Sequence, residues 1–175
     1  SGDLAAYRAG LNALARRAAS PWRERALLDL ARTGEGAPSA KTLQAYQRYR
    51  HAAGERADPL ALLREAWAAY DLGRYAEADT AFVRALARSD APDGVRVTAT
   101  YWRARIADAA GRSAEARASY GTIADTFGNH YYGALAAKRL GRPLPAAPAG
   151  CLSSVSLSNC APTMVGLMVS RPRPR

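Results

Sequence analysis

Apolar residues recur along the chain in steps of three and four, broken at short intervals by Gly and Pro. This is the pattern of short amphipathic helices, and it lacks the strict alternation of half-buried strands. Leu4, Tyr7, Leu11, Leu14 and Ala18 form the first stripe, with Asp3 placed to cap it. Ser20-Pro21 opens a second helix, with Pro21 expected at its first position, and Leu27, Leu28 and Leu30 lead to a stop at Gly34. Ser39 starts a third through Leu43, Tyr46 and Tyr49 to Gly54, and Asp58-Pro59 a fourth through Leu63, Trp67 and Tyr70 to Gly73. A fifth spans about residues 75–88. The sixth carries Val95, Ala99, Trp102, Ile106 and Ala109 on one face and stops at Gly111. Ser113 is expected to cap the seventh, with Glu115 in its first turn and a stripe of Ala116, Tyr120, Ile123 and Phe127 before Gly128. The eighth covers residues 131–140 and is closed by Gly141.

Two of these segments repeat. The stretch from Gly73 through Arg74, Ala76, Glu77 and Ala78 to Phe82 aligns with Gly111 through Arg112, Ala114, Glu115 and Ala116 to Tyr120, an offset of 38 residues. That period suits arrays of helix-turn-helix units of the tetratricopeptide kind. Gly permits the tight turn, Ala78 and Ala116 allow paired helices to approach, and Phe82 or Tyr120 fills the space to the next pair. Such units cannot bury their faces singly and stack into a solenoid. The expected fold is therefore all-α: a right-handed αα-hairpin superhelix of about eight helices over residues 1–142, then a Pro-rich linker and irregular tail over 143–175.

Composition sharpens this picture. Of 175 residues, 41 are Ala and only two are Phe, so the 49% hydrophobic content is made of small, helix-favouring side chains. Gly, Cys and hydrophobic content exclude collagen-like, disulfide-dense and disordered classes. The net charge of +10 hints at an anionic partner, but residues 1–125 hold 19 basic and 15 acidic side chains. Residues 126–175 hold six basic and no acidic ones. No nucleic-acid partner is expected from a nearly balanced helical region, and no apolar run approaches the roughly 18 residues of a membrane span. The chain opens on Ser1 with no signal peptide and reads as a processed or trimmed product.

Little in the sequence resembles catalytic machinery. His51 and His130 lie far apart with no trustworthy metal-ligand spacing beside them and read as surface or core-edge residues. Cys151 and Cys160, nine apart in the tail, read as free thiols, with a disulfide as the alternative in an oxidising compartment. Phosphate loops, dinucleotide fingerprints and nucleophile elbows are absent from the sequence. The six Glu (24, 35, 55, 65, 77 and 115) read as ion-paired, solvated helix faces. Trp67, Tyr70, Trp102, Tyr120, Tyr131 and Tyr132 fall on helix stripes and read mainly as packing, although aromatic rings interleaved with Arg also suit a sugar- or single-strand-binding groove. No catalytic, cofactor-binding or metal-binding residue is expected in this chain.

One family resemblance is specific. Tyr101-Trp102-Arg103-Ala104-Arg105, then Gly111-Arg112 with Glu115-Ala116, then Tyr131-Tyr132-Gly133-Ala134-Leu135-Ala136-Ala137-Lys138-Arg139-Leu140-Gly141 resemble the helical superhelix of soluble lytic murein transglycosylases. The likeness is close over residues 60–145 and loose over 1–59, and its most specific piece is YYGALAAKRLG. It implies a periplasmic role in cell-wall turnover, in which a helical ring holds the peptidoglycan glycan strand. A lysozyme-like domain then cleaves the bond between N-acetylmuramic acid and N-acetylglucosamine with 1,6-anhydro ring closure. The family's catalytic glutamate lies in a Glu-Ser dipeptide; this sequence contains none and has no Glu after Glu115, so no active-site residue is carried over. From about Ala149 onward the loss of helical period and of acidic residues reads as sequence foreign to the family. The expected role is a non-catalytic scaffold segment contacting peptidoglycan glycan, with a tetratricopeptide-like protein-interaction module as the alternative.

Overall fold

The computed structural model describes residues 2–17, 21–36 and 38–143. These form eight α-helices: α1 (Gly2–Arg17), α2 (Trp22–Arg32), α3 (Ala40–Ala53), α4 (Pro59–Asp71), α5 (Tyr75–Leu86), α6 (Asp93–Ala109), α7 (Ser113–Thr126) and α8 (Tyr131–Arg139). No strand occurs among the described residues, and a single 3-10 turn, Gly54–Arg56, links α3 to α4. Each helix packs against the one that follows it, and α4 also meets α6, which meets α8. Consecutive antiparallel hairpins stack in this way into a helical-hairpin superhelix.

The turns explain the regularity. Gly73, Gly111 and Gly141 stand at φ 73°, 78° and 69°, in the left-handed region that favours a residue without Cβ. After each, an arginine N–H reaches back across the helix end: Arg74 to the carbonyl of Ala69 (3.0 Å), Arg112 to Ala107 (2.9 Å) and Arg142 to Ala137 (2.9 Å). The glycine N–H groups bond one turn back as well, so orphan carbonyls at three helix ends are satisfied in one way. Shifted by the 38-residue offset, the end of α4 falls on the end of α6 and the start of α5 on the start of α7. Buried positions coincide too: Ala66 with Ala104, Ala69 with Ala107, Ala78 with Ala116, and Phe82 with Tyr120. Alanine at the first three pairs brings helix backbones together, and the aromatic ring at the last fills the space between hairpins.

Two apolar clusters result. The larger joins α2 to α6 around Leu43, Tyr46, Leu63 and Phe82; the smaller joins α6, α7 and α8 around Val97, Tyr101, Tyr120 and Ile123. Trp102 packs against both. Because the partly buried indole is shared by both clusters, it joins the two halves.

Helix starts follow the sequence in part. Ser39 accepts from the N–H of Lys41 and Asp58 from that of Leu60, as caps should. Asp3 is no cap, because α1 already begins at Gly2 and Asp3 lies in its first turn. Pro21 occupies the N-cap position, and Trp22 is the first helical residue. Ser113 is not a cap either: the Gly111 turn leaves Arg112 as the non-helical junction, at φ −82° and ψ 56°, and Ser113 is already helical. The α1 stripe differs most from expectation: Leu4, Tyr7 and Leu14 are 52%, 51% and 40% exposed, since among the described residues α1 packs mainly on α2. Ala109 is exposed at the end of α6. Ala18 and the tail with Cys151 and Cys160 lie outside the described residues.

Candidate functional site

The stacked hairpins bring aromatic residues from five helices, α4 to α8, into one continuous seam. Tyr70 at the end of α4 meets Tyr75 at the start of α5 (ring centroids 5.2 Å apart) and Trp102 of α6 (4.8 Å). Trp102 continues to Tyr101 (6.0 Å), which touches Tyr132 of α8 (5.0 Å) and Tyr120 of α7 (5.6 Å). Tyr132 in turn meets Tyr131 (5.2 Å). Most of these pairs are edge-on or tilted, the arrangement that ring quadrupoles favour.

The local reasons are simple. Gly73 folds α5 back on α4, so Tyr70 and Tyr75, five apart in sequence, face each other. Trp102 and Arg105 are three apart on α6, and the guanidinium of Arg105 lies 5.7 Å from the indole ring centroid. Trp102 Nε1 donates to the phenol oxygen of Tyr132 (3.2 Å). His130 caps α8, its Nδ1 accepting from the N–H of Tyr132 (3.3 Å), and its ring stacks on Tyr132. Burial holds the His130 imidazole below its ordinary pKa, which favours the neutral ring that this cap requires.

Exposure divides the seam. Tyr101 and Tyr120 are buried, Tyr70, Trp102 and Tyr132 half-buried, and Tyr75 and Tyr131 are 43% and 49% exposed. Burial pushes the Tyr120 phenol up to about 12, and its hydroxyl has no hydrogen-bond partner among the described residues. The seam is thus core on one side and accessible at both ends. Trp67 belongs to the core alone, with Arg64 over its ring (5.6 Å). Tyr75, Tyr101 and Arg105 extend the set beyond the stripe residues recognised from sequence; the turn at Gly73 and the i,i+3 spacing on α6 are the signals that carry them.

The glutamates divide as well. Glu77 and Glu115 are exposed and pair with Arg74 (3.6 Å) and Arg112 (2.9 Å), the same i,i+3 pair in successive repeats. Glu65 overturns the solvated-face reading: it is only 3% exposed, and Arg50 Nε bridges both of its oxygens (3.1 and 3.0 Å). Burial raises the Glu65 carboxyl against the opposing pull of Arg50. Glu35 is also more than a surface charge, accepting from the Tyr46 hydroxyl and pairing with Arg64 (3.0 Å). His51 is exposed on α3.

Among the described residues no group of three or more His, Cys, Asp or Glu is placed to hold a metal ion, and no helix is long and apolar enough to cross a membrane. Compared with family models, curated proteins and solved structures, the chain matches none.

Proposed function

We propose that this chain is a non-catalytic helical scaffold segment of a soluble lytic transglycosylase, and that its aromatic seam contacts the glycan strand of peptidoglycan in the periplasm. The observation that supports this reading is the placement of Tyr70, Trp102 and Tyr132 on α4, α6 and α8, one partly accessible ring per hairpin, with the more exposed Tyr75 and Tyr131 at the ends. Pyranose rings present apolar C–H faces that pack on aromatic rings, and their hydroxyls need nearby polar donors; Arg105 beside Trp102 supplies such donors. A strand of linked sugars fits a linear succession of rings better than a single pocket. The sequence resemblance at YYGALAAKRLG supports the same assignment, and it is this segment that places Tyr131 and Tyr132 in the seam.

The role of the segment is holding, not cleaving. Glutamate chemistry on a glycosidic bond needs a positioned acid at the scissile oxygen, and no glutamate stands among the seam residues. Co-sedimentation of the full chain with purified, protein-free peptidoglycan sacculi tests the reading. Retention is expected, with no release of anhydromuropeptides. Failure to pellet overturns the glycan reading in favour of a protein-interaction module, and release of anhydromuropeptides overturns the non-catalytic assignment.

A further inference from the structure

A second feature lies away from the seam, between α3 and α5 across α4. It is a polar cleft of about 420 Å³, within the roughly 300–1,000 Å³ range of small-molecule sites. Its walls carry Gln47 and Arg50 from α3, Arg74 from the junction before α5, and Glu77 and Arg84 from α5, with Glu65 of α4 at the base. On α5 the spacing is that of one helix face. Ala69 and Ala81 line the cleft with small side chains, so the space between the charged walls stays open.

The guanidiniums are unequal. Arg50 commits its Nε–H to Glu65 and neutralises that buried carboxylate. Arg84 stands 3.8 Å from Glu65, and Arg74 3.6 Å from Glu77, both beyond hydrogen-bonding distance. The side chains of Arg84 and Arg74 are 43% and 51% exposed, and each guanidinium has five N–H donors to offer. Three arginines against two glutamates leave the cleft with one net positive charge, which balances a monoanion and disfavours a dianion.

Packing of the repeat does not require this arrangement. At the 38-residue offset Arg74 and Glu77 recur as Arg112 and Glu115, but Glu65 is replaced by Arg103 and Arg84 by Thr122. A buried ion pair is in any case a weak device for stability, since apolar residues of similar size often serve as well. What distinguishes this hairpin from the next is the cluster of charges itself.

We propose that the α3–α4–α5 cleft binds a small monocarboxylate on a short, peptide-sized body, with Arg84 donating to the carboxylate and Arg74, ten residues away along the same face, and Gln47 donating to amide carbonyls of that body. Leu43, Ala69 and Ala81 take its aliphatic part. The proposal stands apart from the glycan reading, because it uses none of the seam residues.

Calorimetric titration of the full chain with N-acetyl-alanyl-alanine and with its C-terminal amide tests it. The free carboxylate saturates one site and the amide does not. Arg84→Gln and Arg74→Gln each weaken binding about tenfold, the scale of a lost charge-assisted hydrogen bond. Arg112→Gln, the repeat equivalent outside the cleft, leaves it unchanged. Far-UV circular dichroism confirms that each variant is helical, and if one arginine variant fails to fold, the other decides. Equal binding of the amide, equal loss in Arg112→Gln, no heat from the carboxylate, or tighter binding of inorganic phosphate overturns the proposal.

Discussion

The indole Nε1 of Trp102 donates to the hydroxyl of Tyr132, 3.2 Å away, and this bond ties α6 to α8 across 30 residues of sequence. Trp102 also packs against both apolar clusters, so one side chain links the halves of the superhelix and stands in the middle of the aromatic seam. Trp102→Phe removes the donor and part of the ring while keeping an aromatic face. The expected cost is about 2 kcal/mol, combining a lost hydrogen bond with reduced packing. A lower urea midpoint with an unchanged slope is the expected observation.

Gly133 explains the small residue inside the YYGALAAKRLG segment. A Cβ there would lie 1.7 Å from the carbonyl oxygen of Phe127 and 2.5 Å from its carbon, so α8 rests directly on the backbone that ends α7. Gly133→Ala is expected to destabilise by at least about 2 kcal/mol, since backbone must move to make room. Gly10 in the middle of α1 has no atom of the described residues within 4 Å of its Cβ position, and Gly10→Ala should be neutral or stabilising by up to about 1 kcal/mol. Paired thermal melts compare the two; equal effects would contradict the close-approach account.

The hydroxyl of Tyr120 is buried with no hydrogen-bond partner among the described residues, a cost to the fold. Tyr120→Phe keeps the ring against Tyr101 and removes the orphan group, so stability should stay the same or rise by about 1 kcal/mol. Urea unfolding measures this directly. A loss of more than about 1 kcal/mol would show that the hydroxyl is satisfied in solution.

His130 gives the end of the array a pH dependence. Burial depresses its folded-state pKa below the ordinary 6.5, so as pH falls the unfolded chain takes up this proton first. The stability associated with the neutral ring is complete above 6.5 and is lost as pH falls from 6.5 through the folded value. Protonation at Nδ1 also removes the acceptor that holds the Tyr132 N–H. Exchange of the Tyr132 amide, corrected for intrinsic rate, should therefore quicken below about pH 6.5, and His130→Asn, which keeps a capping acceptor, should abolish the change.

Local chemistry was legible in the sequence and long-range chemistry was not. The Gly-Arg turns, the Ser39 and Asp58 caps and the 38-residue repeat each depend on neighbours within one or two turns, and residue type and spacing carried them. Ser113 failed as a cap because the preceding glycine turn sets the helix start, which makes Arg112 the junction. Glu65 looked like any surface glutamate because its partner Arg50 stands on another helix, across a turn. The exposure of Leu4, Tyr7 and Leu14 has the same origin: a stripe shows which side of a helix is apolar, and the packing of its neighbours decides how much of that side is covered.

The glycan reading is tested most directly at the side chain of Trp102. The chain has three tryptophans: Trp22 is 66% exposed and far in sequence from the seam, Trp67 lies in the core, and Trp102 lies within the seam. Their indole N–H signals, assigned in a 15N-labelled full chain, can be followed during titration with soluble glycan strands stripped of stem peptides. The account predicts a saturable shift of the Trp102 signal with Trp22 and Trp67 unmoved. No shift at any indole, or a shift confined to Trp22, would contradict it.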